Sequence, residues 1–277
     1  MPDALDIQGA ATERTVSART RAGQMAVVPG IGALEAGDGP LFVVVGVFDG
    51  LHLGHAYLLQ ELRRAARQSD ARAAVVTFDH HPDEILVGTA PPLLCDADQR
   101  LRLLAGAGVD VTVVQHFDER LRQTPFDAFI DSIAARSSIT GFLMTPDAAF
   151  GHDRGGTPAT VGELGAERGF EVEVVRPFTL DGAPVRSADI RAAIAAGDLA
   201  GARRLLGRAV AVVGDGAADG GGTAVSFALP VALPLDGDYP VSAAIVGSRP
   251  SRASARIEGG RVWLDRPLVG RVHLSFD

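Results

Sequence analysis

Between positions 41 and 175, short apolar runs alternate with stretches whose apolar residues recur at helical spacing. Leu41–Val45 is a continuous apolar run rich in β-branched residues, which is typical of a strand buried on both faces. In residues 56–67 the leucines lie on one face and the arginines on another, which predicts an amphipathic helix. Further strands are predicted at 73–78, 109–114, 139–144 and 170–175, and further helices at 97–107, 126–136 and 159–168. This alternation predicts an α/β fold with a parallel sheet covered by helices on both faces.

The pattern changes near Gly207. Two more helices are predicted at 187–196 and 199–206, and then short β-like runs follow at 209–213, 239–246, 261–264 and 272–276. Because Gly- and Pro-rich turns separate these runs, they predict a second, small antiparallel β-barrel-like domain. The expected division is a mobile tail at 1–24, a main domain at 25–207 and a β domain at 208–277.

The beginning of the chain has no sustained apolar period. Residues 1–39 lack the basic start and apolar core of a secretory signal. No run of 18 apolar residues predicts a transmembrane helix. We therefore expect a cytoplasmic protein with no membrane partner.

Composition narrows the possible chemistry. All 26 basic residues are Arg, which excludes a Walker A loop and any Lys Schiff base. The net charge of -8 argues against a nucleic-acid partner, and no obligate protein partner is evident. The single cysteine, Cys95, excludes an intramolecular disulfide and a multi-cysteine metal site.

The first strand of this alternation runs into a loop, residues 46–55 (GVFDGLHLGH), and then into a helix. In parallel sheets, ligands bind beyond the carboxyl ends of the strands. Gly50 and Gly54 allow the backbone to approach a ligand, and the helix N-terminus attracts an anion. His52 and His55, three residues apart, can face one phosphate. The pair could instead merely cap the helix, or bind a metal with His80 and His81, alternatives that the sequence leaves open.

These residues resemble a known family. The loop is similar to the HxGH signature of nucleotidyltransferases, in the GxFDGxHxGH form of bacterial FAD synthetases, which are bifunctional riboflavin kinase/FMN adenylyltransferases. Residues 78–82 (FDHHP) resemble the family's FDPHP, and residues 185–191 (VRSADIR) resemble its ISSTxIR motif. A GD pair at 197–198 and LLGR at 205–208 follow in the family's order.

The resemblance implies a Rossmann-like nucleotidyltransferase sheet and an FMN adenylyltransferase, which transfers AMP from ATP to FMN with Mg²⁺ and releases FAD and pyrophosphate. It makes His52 and His55 the catalytic residues, with no metal held by the protein itself. The residues expected to bind ATP or phosphate are Gly46, Phe48, Asp49, Gly50, Gly54, Asp147, Ser187 and Arg191. The flavin-side candidates are Asp79, His81, Phe150 and Gly151.

The chain departs from the family at several positions. Thr145 and Ala149 replace a Gly and a bulky basic residue in one loop, Arg186 and Ala188 replace Ser and Thr, and His80 replaces Pro. These changes bear on substrate affinity. Two alternatives therefore stay open: a non-catalytic flavin- or nucleotide-binding protein, and an HxGH nucleotidyltransferase with another acceptor.

The resemblance weakens in the β domain. The family's kinase module carries a PTAN motif, whereas residues 222–230 (GTAVSFALP) lack the Thr–Asn pair. Residues 234–239 still resemble the family's PLDGxY turn. The resemblance therefore implies a degenerate riboflavin-kinase-like domain whose kinase activity is lost.

Overall fold

The computed structural model describes residues 24–276, which form a six-stranded parallel sheet followed by a closed antiparallel barrel. The sheet strands are β1 (Ala26–Val28), β2 (Leu41–Val45), β3 (Arg72–Phe78), β4 (Val111–Gln115), β5 (Ile139–Met144) and β6 (Glu171–Val174). The helices among them are α1 (Leu53–Gln68), α2 (Pro82–Leu86), α3 (Ala97–Gly106), α4 (Glu119–Arg122), α5 (Phe126–Ala134) and α6 (Pro158–Arg168). The predicted α/β fold is confirmed. The predicted mobile tail lies, apart from Gln24, outside the described residues.

The order of the sheet is β1-β4-β3-β2-β5-β6, and every neighbouring pair is parallel. After β2 the chain adds β3 and β4 on one side, and then crosses to add β5 and β6 on the other. The carboxyl end of β2 therefore lies at the point where the strand order reverses, which is where open α/β sheets bind ligands.

Strand β1 was not predicted from the sequence pattern. The strand has three residues, too few to produce a hydrophobic period, yet it pairs with β4 at the sheet edge. Val28, Ile31 and Leu34 are buried beside it. The segment directly before β2 is therefore part of the core of the sheet.

Helices cover both faces of the sheet. One apolar cluster contains Leu59 and Leu62 of α1 and Leu104 of α3, all fully buried against β2 and β3. The opposite cluster contains Ile130 and Ile133 of α5 with Val161 of α6. No described helix combines the length and the apolar character that crossing a membrane requires.

The second part of the chain begins with a hairpin of β7 (Thr179–Leu180) and β8 (Ala183–Pro184), followed by α7 (Ser187–Ala195) and α8 (Leu199–Leu206). The barrel strands are β9 (Ala211–Asp219), β10 (Gly222–Ser226), β11 (Gly237–Ile245), β12 (Ser251–Glu258), β13 (Arg261–Leu264) and β14 (Gly270–Phe276). They close in the order β10-β13-β12-β11-β14-β9. The predicted antiparallel β-barrel-like part of the chain is thus confirmed as a closed barrel.

Helices α7 and α8 share their core with the barrel. Ile190 and Ile194 of α7 and Leu206 of α8 belong to the same buried cluster as Val241 and Leu274 of the barrel. The barrel therefore supports α7, the helix that begins with the predicted site residue Ser187. The domain boundary at 207/208 stays a prediction.

Two glycines of α6, the helix that connects β5 to β6, test how tightly this helix packs. A Cβ on Gly165 would lie 2.5 Å from the carbonyl oxygen of Phe170, whereas a Cβ on Gly162 meets nothing within 4 Å. We expect Gly165→Ala to lower the free energy of unfolding by about 1–3 kcal/mol through overpacking. Gly162→Ala should raise it by about 0.5–1 kcal/mol, because Ala loses less backbone entropy in a helix. Urea unfolding of both variants checks this, and a Gly165→Ala variant as stable as Gly162→Ala would contradict the packing.

Candidate active site

The loop between β2 and α1 has an unusual backbone. Phe48 and Leu51 adopt positive φ angles of 54° and 36°, which are rare for bulky residues. Gly50 has φ 75°, and a Cβ there would lie 2.7 Å from the Cβ of Leu94. Phe48 and Leu51 are both buried, so surrounding packing holds this conformation.

Side chains from four other elements bind the carbonyl groups of this loop. Arg100 Nη1 and Thr77 Oγ1 donate to the carbonyl of Val47 at 3.2 and 3.0 Å. Arg208 donates to the carbonyls of Gly50 and Leu51, and Ser187 Oγ donates to that of Asp49 at 3.2 Å. The loop is therefore fixed from β3, α3, α7 and the segment after α8.

Asp49 is the buried centre of this arrangement, with 3% of its surface exposed. Its carboxylate accepts hydrogen bonds from the backbone N–H of Leu94 at 3.0 Å and of Cys95 at 3.2 Å. Arg191 Nη2 donates to it at 2.6 Å, and Arg191 Nε donates to the carbonyl of Pro92 at 2.8 Å. The carboxylate thus joins the loop, the segment before α3 and helix α7.

Cys95 completes the contacts of the loop. Its Sγ accepts a hydrogen bond from the backbone N–H of Gly50 at 3.2 Å. Burial, reinforced by the charge of Asp49, raises the pKa of the thiol to about 12. Cys95 is therefore a protonated thiol that packs against the loop, without the thiolate character that a nucleophile requires.

His52 and His55 stand together at the start of α1. Their rings are stacked, with centroids 3.7 Å apart and planes at 18°. His52 is the N-cap of the helix: its Nδ1 accepts a hydrogen bond from the backbone N–H of His55 at 3.3 Å. The Nδ1 atom of His55 is buried and has no hydrogen-bond partner among residues 24–276.

Burial keeps both imidazoles neutral. Burial, together with the positive charges of Arg208 and Arg191, lowers the pKa of His52 to about 4. Burial and the neighbouring His52 hold the pKa of His55 well below its usual value. At neutral pH the pair therefore offers N–H donors rather than cations to a bound group.

These histidines line a cavity of about 340 Å³. The cavity brings together five of the residues predicted from the sequence, namely His52, Gly54, His55, Asp147 and Ser187. Two further arginines, Arg176 and Arg186, line it as well. Arg186 was noted in the sequence, whereas Arg176, a lone Arg just beyond the carboxyl end of β6, was not predicted.

The other predicted ATP-side residues lie behind this cavity. Gly46 packs under the Phe48 ring, which a Cβ would approach to 3.1 Å, and Gly50 packs against Leu94. Arg191 lines a different cavity, against the barrel. The contacts of Gly46, Phe48, Asp49, Gly50 and Arg191 explain how the loop is positioned. Their direct contact with ATP stays a prediction.

The flavin-side candidates divide between two cavities. His81, Phe150 and Gly151 line one of about 550 Å³, while Asp79 and His81 line a smaller one of about 280 Å³. His81 is therefore common to both. Phe150 also packs against Phe142, so part of its role is structural.

The metal alternative for the histidine pair finds no support in the described residues. Within 24–276, the one group of three His, Cys, Asp or Glu side chains close enough to hold an ion is Asp79, His80 and His116. His52 and His55 are not in it. His81, proposed as a third ligand, instead caps α2 by accepting a hydrogen bond from the backbone N–H of Asp83.

Comparison with known proteins identifies the family of this chain. Residues 35–189 match the family model described as FAD synthetase. A bifunctional riboflavin kinase/FMN adenylyltransferase from Pseudomonas fluorescens is 31% identical over 264 residues, covering 91% of this chain and 82% of that protein. Proteins of the same description from Haemophilus influenzae and Escherichia coli are 34% and 32% identical over 174 residues, covering 62% of this chain and 56% of each relative.

A solved structure described as a macrolide-efflux protein from Streptococcus pneumoniae shares the fold. It aligns with a TM-score of 0.75 and 22% identity, covering 91% of this chain and 89% of that one. At this identity the likeness concerns the fold alone.

The neutral state of His52 predicts a pH-dependent stability. The unfolded chain protonates His52 near pH 6.5, whereas the folded protein does so near pH 4. Stability present above pH 6.5 is therefore lost as the pH falls through this window, by up to about 1.4 kcal/mol per pH unit for one proton. We expect His52→Gln to flatten this part of the profile, measured by urea unfolding between pH 7 and pH 4.

The exposed His152 provides the matched control, because His152→Gln should keep the wild-type slope. If His52→Gln lost stability with falling pH as steeply as the wild type, His52 would not be held neutral by the fold.

Proposed function

The chain belongs to the FAD synthetase family, and we propose from that premise that its His52/His55 cavity carries out the transfer of AMP from ATP to FMN. The protein is an FMN adenylyltransferase. A phosphate oxygen of FMN attacks the α-phosphorus of ATP and forms the new P–O bond. The bond between the α-phosphorus and the oxygen that bridges it to the β-phosphate breaks, and pyrophosphate leaves. This displacement requires positioning and charge stabilisation rather than a covalent intermediate on the protein.

The observation that carries the assignment of the site is the stacked pair of neutral imidazoles, His52 and His55, that lines this cavity at the start of α1. Neutral imidazoles donate N–H groups to the oxygens of the α-phosphate as negative charge builds there. Because the ring pair is desolvated, these hydrogen bonds are stronger than in water.

Charge around the cavity supports a triphosphate. Arg176 and Arg186 line it and provide fixed positive charge without a Lys-bearing loop. Mg²⁺, when bound together with ATP, would supply charge neutralisation at its phosphates. Asp147, the carboxylate among the described lining residues, is an oxygen ligand of the kind Mg²⁺ accepts, and one such ligand suits an ion held mainly by phosphates.

We infer that Asp49 and Arg191 are positioning residues. Arg191 donates from Nη2 to the Asp49 carboxylate and from Nε to the carbonyl of Pro92, so both of these atoms already have partners within the protein. Its effect on AMP transfer therefore acts through the loop that carries His52.

We assign the flavin to the cavity lined by His81, Phe150 and Gly151. Its walls include the aromatic rings of Phe78 and Phe117, which suit a planar heteroaromatic ring. The cytoplasmic location expected from the sequence stays a prediction.

We propose that the barrel has lost kinase chemistry and now supports the transferase. Residues 222–230, which replace the family's PTAN motif, lead directly into a stretch that pairs with the chain segment before α3. Leu93 N–H donates to the carbonyl of Pro230 at 2.8 Å, and Ala232 N–H donates to the carbonyl of Leu93 at 2.9 Å. Leu94 and Cys95, next in the chain, bind Asp49. The barrel is thereby connected to the catalytic loop.

The activity is tested by incubating the protein with FMN, ATP and Mg²⁺ and following FAD and pyrophosphate. We expect stoichiometric formation of both, and a loss of at least about 100-fold in kcat for His52→Ala, since that change removes a hydrogen-bond donor aimed at developing charge. His273→Ala in β14, outside the site, should retain the wild-type rate.

Other outcomes distinguish the alternatives. Binding of ATP or FMN without turnover would identify a non-catalytic binding protein. Pyrophosphate release in a panel of nucleotides and phosphate acceptors, without FAD formation from FMN, would identify another acceptor.

A separate experiment tests the barrel. With riboflavin, ATP and Mg²⁺ we expect no FMN, because residues 222–230 lack the Thr–Asn pair. The same preparation should convert FMN to FAD, which serves as the positive control. Accumulation of FMN or FAD from riboflavin would show that the barrel is still a kinase.

A further inference from the structure

A group of metal-binding side chains lies at the sheet edge outside the histidine pair. Asp79 and His80 directly follow β3, and His116 directly follows β4. The two strands are parallel neighbours, with Phe78 paired to Gln115. The residues that follow these two positions therefore leave the sheet side by side, which brings the three side chains together.

The three side chains converge closely. One ligand atom from each lies within 4.8 Å of the others. Asp79 Oδ2 is 2.7 Å from His116 Nδ1, and the two imidazole rings are 5.8 Å apart at 79°.

The carboxylate of Asp79 is held in place for this role. Its Oδ1 accepts hydrogen bonds from the backbone N–H of His80 at 2.8 Å and of Phe117 at 3.1 Å. Glu84 Oε2 lies 3.2 Å from Nδ1 of His80, where a carboxylate either orients a metal-binding imidazole or supplies a fourth ligand.

The donor set determines the kind of ion. Two imidazoles and a carboxylate suit zinc and similar transition metals, whereas Mg²⁺ prefers oxygen ligands alone. Three protein ligands leave a coordination position open for water or another ligand. We propose that Asp79, His80 and His116 form a binding site for a divalent transition-metal ion of the zinc type, separate from the Mg²⁺ that accompanies ATP.

The site is separate from the cavity of the histidine pair, although Asp79 also lines the smaller cavity that it shares with His81. None of its three residues lines the cavity of His52 and His55. All three are exposed, so an ion can reach them directly from solvent and their substitution should leave the fold intact.

Calorimetric titration of the full-length, tag-free protein with Zn²⁺, in a large excess of Mg²⁺, tests the proposal. We expect one Zn²⁺ per chain, with affinity lowered at least about 10-fold in both His80→Ala and His116→Ala. The matched control is His152→Ala, because His152 Nε2 also lies beside a carboxylate, 3.3 Å from Asp153, but belongs to no group of three among the described residues. Thermal unfolding without zinc checks that each variant is folded.

The proposal is overturned if the wild type binds no stoichiometric Zn²⁺ under these conditions. It is equally overturned if either His80→Ala or His116→Ala binds as tightly as the wild type, or if His152→Ala loses as much affinity as they do.

Discussion

The buried carboxylate of Asp49 is the contact on which the site depends. It joins the loop after β2, the backbone N–H groups of residues 94 and 95, and the guanidinium of Arg191 on α7. A buried carboxylate is stable only when it is paired and fully hydrogen-bonded, and removing one partner of such a pair costs about 3–5 kcal/mol. These three distant segments are therefore held in one arrangement, since separating any of them would leave a charge uncompensated.

This arrangement explains how a chain without Lys can handle phosphate. The loop is held in a strained backbone conformation at Phe48 and Leu51, and the guanidinium groups of Arg100 and Arg208 bind its carbonyls. Burial, together with the charges of Arg208 and Arg191, lowers the pKa of His52 and keeps it neutral and ready to donate an N–H group. The barrel takes part indirectly, through the core it shares with α7 and through the backbone pairing of Leu93 with Val231.

Much of the fold could be predicted because its signal is local. Strands β2 and β5 were predicted with their observed bounds, and the strand–loop–helix pattern placed His52 and His55 at a strand end. Strand β1 could not be predicted because three residues carry no period. In the site, the motif marked Asp49 and Arg191 as important but did not show what they contact. Their backbone partners at positions 92–95 are distant from them in sequence. Arg176 could not be found because a lone Arg after a strand has no distinguishing pattern.

The most direct test of this account is a double-mutant cycle on the rate of AMP transfer, using Asp49→Asn, Arg191→Met and the double variant. Each variant is first shown to be folded, and kcat/KM for FAD formation is then measured. If Arg191 acts through Asp49, the kcat/KM of the double variant equals that of the less active single variant, because each change breaks the same pair. Losses that multiply would contradict the account, since Arg191 would then act on the substrate independently of the loop that Asp49 holds.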